Sequence, residues 1–347
     1  MEKKTERVFL IDFLNVISCF GVVWLHVNGA VWTFSYFRTW VTSWLLETLL
    51  YWPVPIFFML SGITLLGYRD RYNTKVFLKK RMMKTLLPFL FWSVVSIFWS
   101  IYVSGYLTPD TRISLLSMVD LVVNCKGMSI YWFFPALFSV YLSIPILSLV
   151  EKEKRFGIYT YILVYGVLTI SILPFLAALF GISFNSDLKS PICGGYLMYL
   201  LLGYLLWNHE LTKRQRYIVY ILGIAGWAVR FFGGWYLSWQ AGNVNSTFSG
   251  YLNVPCVAQS AAVFVFFRQC DFTSLKKKMG SVVANLSELS FGIYLVHFYL
   301  MRFVIDQFQI EMSSWQWRLG GVWFTYFCSA GIVACMKKVP ALSWLVP

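Results

Sequence analysis

The chain has 347 residues, 59% of them hydrophobic and 13% charged, with 29 basic against 15 acidic side chains. Soluble domains carry about 25% charge, so a soluble globular protein is excluded. The formal net charge of +14 lies mainly in short loops between apolar segments, a pattern of topology signals and lipid contact that argues against a nucleic-acid partner.

Ten apolar stretches are expected to span a bilayer: residues 8–30, 45–67, 86–106, 130–150, 158–180, 191–207, 217–237, 251–268, 284–305 and 316–336. Each is near the roughly 17–25 residues a spanning helix needs. The first has no small-residue cleavage site behind it, only Val31, Trp32 and Thr33, and reads as a retained span. Basic residues crowd every second loop: Lys3, Lys4 and Arg7, then 68–85, 151–157, 208–216, 268–283 and the tail with Lys337 and Lys338. The alternate loops hold only Arg38, Arg112, Lys126 and Lys189. The basic side is expected to be cytoplasmic, which puts both termini there. The expected fold is an all-α integral membrane protein of ten transmembrane helices. It is expected to form one domain over 1–347 with no soluble domain attached.

In the first span, Asp12, Asn15, Cys19 and His26 fall within an arc of about 60° at roughly 100° per residue. Such groups are expensive in a membrane helix and mark an interior or a water-filled path. Asp12 and His26 are roughly 21 Å apart along the helix, too far for a dyad but enough to line most of a path through the bilayer. The bland alternative has Asp12 at the inner interface and His26 bonded to a neighbouring helix.

Glu47, at the outer end of the second span, has a depth comparable to His26. A carboxylate on one imidazole nitrogen would fix the tautomer and leave the other nitrogen as a base. A Glu facing headgroups fits the sequence equally. Ser61 and Gly62 permit close helix approach or a thin wall beside a substrate path.

The run from Arg69 to Lys84 carries more basic residues than orientation requires, and Arg81 and Lys84 could hold the phosphates of a cytosolic donor. Anionic lipid would occupy them as well. Arg230 lies inside the seventh span and needs a partner or an anionic substrate. In the ninth span Ser287, Ser290, Tyr294 and His297 share one face. Such a stripe serves as interhelical glue or, through a mid-membrane His297, as part of a site. The seven cysteines form no CxxC pair and read as small buried residues. No metal site, Walker loop, GxSxG elbow or dinucleotide fingerprint is present in the sequence.

In order, the segments Ile11–Asn15, Val22–His26, Val54–Gly62, Arg81 to Lys84 and Pro88, Tyr131–Pro135 and Leu286–His297 resemble the membrane-bound acyltransferase family 3. Its members acylate cell-surface glycans and related acceptors. The resemblance implies an acyl-CoA donor, most simply acetyl-CoA, on the cytoplasmic side of a bacterial plasma membrane. The acceptor it implies is an extracytoplasmic glycan or lipid-linked sugar. His26 matches the family's catalytic histidine, with Glu47 as its expected helper. Asp12, Asn15, Arg81 and Lys84 are expected to handle the donor. Trp132, in a matched segment, joins Arg230, Tyr294 and His297 as a candidate for binding substrate. The family's arginine eleven residues before the histidine is Asn15 here, and Lys84 stands where arginine is common. A small-molecule transporter of the same fold, without acyl transfer, is the rival expectation.

Overall fold

The computed structural model describes residues 8–107 and 114–347. Lys3, Lys4, Arg7 and Arg112, which served to orient the chain, lie outside the described residues. Among the described residues every regular element is helical. The helices are α1 (Phe9–Val27), α2 (Arg38–Leu49), α3 (Pro53–Leu65), α4 (Thr74–Arg81), α5 (Leu87–Tyr102), α6 (Leu115–Val123), α7 (Phe133–Leu147) and α8 (Lys152–Gly166). They continue with α9 (Leu173–Leu179), α10 (Leu197–Asn208), α11 (Lys213–Ala228), α12 (Gly234–Ala241), α13 (Val254–Gln269), α14 (Thr273–Phe308), α15 (Val322–Lys338) and the single turn α16 (Pro340–Ser343).

All ten predicted spans fall on helices, but they are not equal. Among the described residues eight stretches are long and apolar enough to cross a bilayer: Phe9–Val27, Arg38–Asp70, Thr74–Tyr102, Ser129–Leu147, Lys152–Leu179, Lys213–Ala241, Thr273–Phe308 and Trp317–Lys338. Predicted spans 191–207 and 251–268 become α10 and α13, of 12 and 16 residues. At 1.5 Å per residue these reach about 18 and 24 Å, short of a hydrocarbon core of ~30 Å. Hydropathy drew both longer than the helices because their apolar leading residues are not helical. Gly195 sits at φ 46° just before α10, and α13 starts only after its N-cap Asn253, whose side chain accepts from the Val254 amide.

The predicted span 45–67 is two helices. Pro53 has no N–H to donate and disfavours helical backbone at Trp52, so the chain breaks at Tyr51 and Trp52. Four other stretches carry π turns: Met82–Leu86, Val167–Ile172, Val229–Gly233 and Trp317–Gly321. A π turn inserts a residue and loosens the local carbonyl ladder. Two indoles answer this. Trp44 Nε1 donates to the Phe231 carbonyl at 3.0 Å, and Trp24 Nε1 to the Arg318 carbonyl at 2.8 Å. Each of these two turns carries a buried arginine, Arg230 and Arg318.

Packing divides the chain into two units. The first comprises the described residues up to Thr64 together with Glu151–Gly331, and the second comprises Leu65–Val150 with Ile332–Pro347. In the second unit, Ile97, Ile101 and Leu121 form an apolar core. Arg69 there donates to the Ser148 hydroxyl at 2.8 Å and the Pro145 carbonyl at 3.2 Å, beside the end of α7.

In the first unit α3 crosses α10 at backbone contact. A Cβ on Gly62 would lie 2.0 Å from the Leu200 carbonyl oxygen, and one on Gly203 would lie 2.4 Å from the Met59 Cα. Backbone cannot swing away as a side chain does, so Gly62→Ala forces the helices apart. The expected loss is about 1–3 kcal/mol, read as a lowered unfolding midpoint in detergent. An unchanged midpoint would show that the crossing is not tight.

Candidate active site

The polar stripe of α1 meets the polar stripe of α14. Asn15 Nδ2 donates to both the carbonyl and the hydroxyl oxygen of Ser287, each at 3.0 Å. The Ser287 hydroxyl donates to Asp12 Oδ1 at 2.8 Å. One turn on, Cys19 Sγ lies 3.5 Å from the Ser290 carbonyl. At the end of α1, His26 Nδ1 stands 2.7 Å from His297 Nε2. Partners advance together along both helices, so α1 and α14 run parallel. Asn15 therefore has a definite task, which is fixing the register that brings the two histidines together.

The histidine pair specifies its own protons. His297 Nδ1 lies 3.0 Å from the Ile293 carbonyl and 2.8 Å from that of Tyr294. Carbonyls only accept, so His297 carries its proton on Nδ1 and presents a lone pair on Nε2. His26 Nδ1–H donates to that lone pair, which leaves the lone pair of His26 on Nε2. The rings stack at 12° with centroids 5.0 Å apart, and Phe298 meets the His26 ring edge-on at 6.0 Å. His297 is 0% exposed, while His26 is half-buried. The arrangement is one imidazole with its lone pair on Nε2, oriented through its other nitrogen by a fixed imidazole. That is the logic of a base steered by a third group.

The carboxylate expected beside His26 is elsewhere. Glu47, only 3% exposed, directs Oε1 to Arg230 Nη2 at 3.7 Å. The Arg230 guanidinium lies over the Tyr51 ring at 3.3 Å. Glu47 thus neither faces outward nor fixes His26. It answers a buried cation instead, and Arg230 has its partner within the chain.

The remaining predicted residues scatter. Tyr294 lies beside His297, ring centroids 5.8 Å apart. Arg81, Lys84 and Trp132 belong to the second unit. There Arg81 packs over Tyr141 at 5.5 Å, Lys84 is exposed on a π turn, and Trp132 is exposed on the 3₁₀ turn Ser129–Trp132.

Three residues passed over in the sequence belong with these. Tyr51 lies under the Arg230 guanidinium, and Gln259 donates to the carbonyls of Thr48 and Leu49, next to Glu47 in the chain. Arg318 is also buried and donates from Nη1 to the Thr39 carbonyl at 3.2 Å and the hydroxyls of Thr42 and Ser43 at 2.9 and 2.8 Å. A Tyr before a Pro-Val-Pro break was the one signal that could have pointed to Tyr51. Among the described residues no group of three or more His, Cys, Asp or Glu side chains is placed to hold a metal ion.

A family model described as an acyltransferase domain, that of acyltransferase 3, matches residues 9–335. No curated protein and no solved structure gives a significant match.

Proposed function

The chain belongs to the acyltransferase 3 family of membrane acyltransferases, and from that premise we propose that it transfers an acetyl group from cytosolic acetyl-CoA to a hydroxyl of an extracytoplasmic glycan or lipid-linked sugar. The setting is a bacterial plasma membrane, with ten crossings and both termini in the cytoplasm. The observation that carries the mechanism is the relay from the Ile293 and Tyr294 carbonyls through His297 to His26.

His26 Nε2 takes the proton of the acceptor hydroxyl as its oxygen attacks the thioester carbonyl. The new O–C bond forms, the C–S bond breaks, and the departing thiolate recovers the proton from His26. Atoms and charge balance with no further reagent. His297 keeps His26 in the reactive tautomer and accepts from its Nδ1–H throughout, including while the ring is an imidazolium. Asp12 and Asn15 serve the reaction through the register of α1 on α14. Tyr294, beside His297, contacts substrate.

The test is thiol release from acetyl-CoA by the purified protein in nanodiscs, with and without a glycan acceptor. Steady release establishes the enzyme, and wild-type protein that neither binds nor cleaves acetyl-CoA ends this reading. His297→Ala is expected to lower kcat by about 10–100-fold, because a misaimed base loses orientation, while KM for acetyl-CoA stays unchanged. A raised KM with unchanged kcat would place His297 in binding instead.

A second reading, passage of a small polar molecule without acyl transfer, has one observation in its favour. The second span is broken at Tyr51 and Trp52, and discontinuous helices with polar groups at the break are how many transporters hold substrate. The acetyl-CoA assay separates the two.

A further inference from the structure

Several elements of the first unit converge on the gap between α2 and α3. From α13, Gln259 Nε2 reaches the Thr48 and Leu49 carbonyls at 3.0 and 3.2 Å, and Cys256 Sγ lies 3.8 Å from the Tyr51 carbonyl. From α10, the Tyr199 hydroxyl donates to the Tyr251 carbonyl. Tyr251 stacks on Tyr51 at 4.2 Å and 4°, and the other face of Tyr51 carries the Arg230 guanidinium. The stack covers a flat face of the guanidinium and leaves its N–H edge to donate.

That edge makes no hydrogen bond among the described residues. Arg230 Nε, Nη1 and Nη2, Glu47 Oε2 and Gln259 Oε1 are all buried without a hydrogen-bond partner there. The Glu47–Arg230 contact, at 3.7 Å, is an ion pair longer than a hydrogen bond. Buried polar atoms are bonded in about nine cases of ten, so donors and acceptors left open together at a helix break mark a place for a polar ligand. Tyr251 is half-buried on the non-helical segment between α12 and α13, where Gly242 and Gly250 hold φ of 65° and 117°.

The charges restrict the ligand. Beside the guanidinium stands a carboxylate, so the cluster is balanced. A carboxylate or phosphate would satisfy Arg230 but bring like charge against Glu47, and a cation would do the reverse. A hydroxyl accepts from a guanidinium and donates to a carboxylate at once, and two adjacent hydroxyls can bridge a gap of this length. We propose that Glu47, Arg230 and Gln259 form a binding site for the vicinal hydroxyls of an uncharged sugar unit. The inference deepens the acceptor half of the proposed function and rests on it for the word acceptor. Its test reads binding and no turnover, so either reading can fail while the other stands.

The experiment measures ligand-induced shifts in unfolding temperature and equilibrium binding for the full chain in nanodiscs. The probes are glucose, a short-chain alkyl glucoside, glucuronate and alanine. Wild type is expected to bind glucose or its glycoside in preference to glucuronate. The glycoside arm separates a lipid-linked source from a soluble one. Glu47→Gln should weaken the neutral sugar by roughly 10–100-fold, the worth of a hydrogen bond to a charged group. It should also turn the preference towards glucuronate, whose carboxylate replaces the lost charge and restores the variant's unfolding temperature. Should Glu47→Gln fail to fold even with glucuronate, Gln259→Met gives the second arm, with the sugar weakened and glucuronate still refused. Equal or tighter binding of glucuronate to wild type, tighter binding of alanine, or no binding of any probe overturns the proposal.

Discussion

Purified His26→Ala protein is expected to release thiol from acetyl-CoA about 10²–10⁴-fold more slowly than wild type, the usual worth of a positioned general base. The fold should survive, because His26 is half-buried and α1 remains held to α14 by Asn15, Ser287 and Asp12. An unfolding midpoint close to wild type therefore belongs to the prediction. His26→Gln sharpens it. Its amide can still donate to His297 Nε2, so packing is kept, but it has no basic nitrogen to take a proton. Equal losses in both variants assign the effect to the base. Activity retained in Gln and lost in Ala would assign it to the hydrogen bond with His297. Activity retained in both removes His26 from the chemistry.

Each polar stripe was readable alone, since helical spacing puts Asp12, Asn15, Cys19 and His26 on one face and Ser287, Ser290 and His297 on another. That the two faces meet was not readable, because 271 residues separate His26 from His297 and no local rule pairs distant helices. The place of Glu47 failed for another reason. Depth along a span gives height in the membrane but not direction round the bundle. The break at Tyr51 and the π turn at Val229–Gly233 each alter helical phase, and a wheel drawn through either one points the wrong way beyond it. Hydropathy saw all ten apolar segments, yet it is blind to the backbone before Leu197 and Val254, where helix length is decided. Asn15 shows the reverse case. As a lost arginine it reads as a defect, and as two donors to Ser287 it reads as a clasp.

Arg230→Met alone is expected to destabilise the protein by about 3–5 kcal/mol, and Glu47→Leu alone by a similar amount, since each leaves a buried charge without its counter-charge. Both sites are almost completely buried, 0% and 3% exposed, so water cannot take over the missing role. The double variant Glu47→Leu/Arg230→Met should recover most of the loss and can exceed wild type, because apolar side chains of similar volume avoid the desolvation of two ions. Chemical or thermal unfolding of the four proteins in one detergent closes the cycle. Additive losses in the double variant would mean that the two side chains do not share an interaction, against the 3.7 Å contact. Recovery has a further consequence. A pair that can be replaced by leucine and methionine without loss of stability is not explained by stability. Its four open donor and acceptor atoms then have to be explained by what they bind, and a double variant that folds well but no longer takes up an uncharged sugar would tie the ion pair to that ligand.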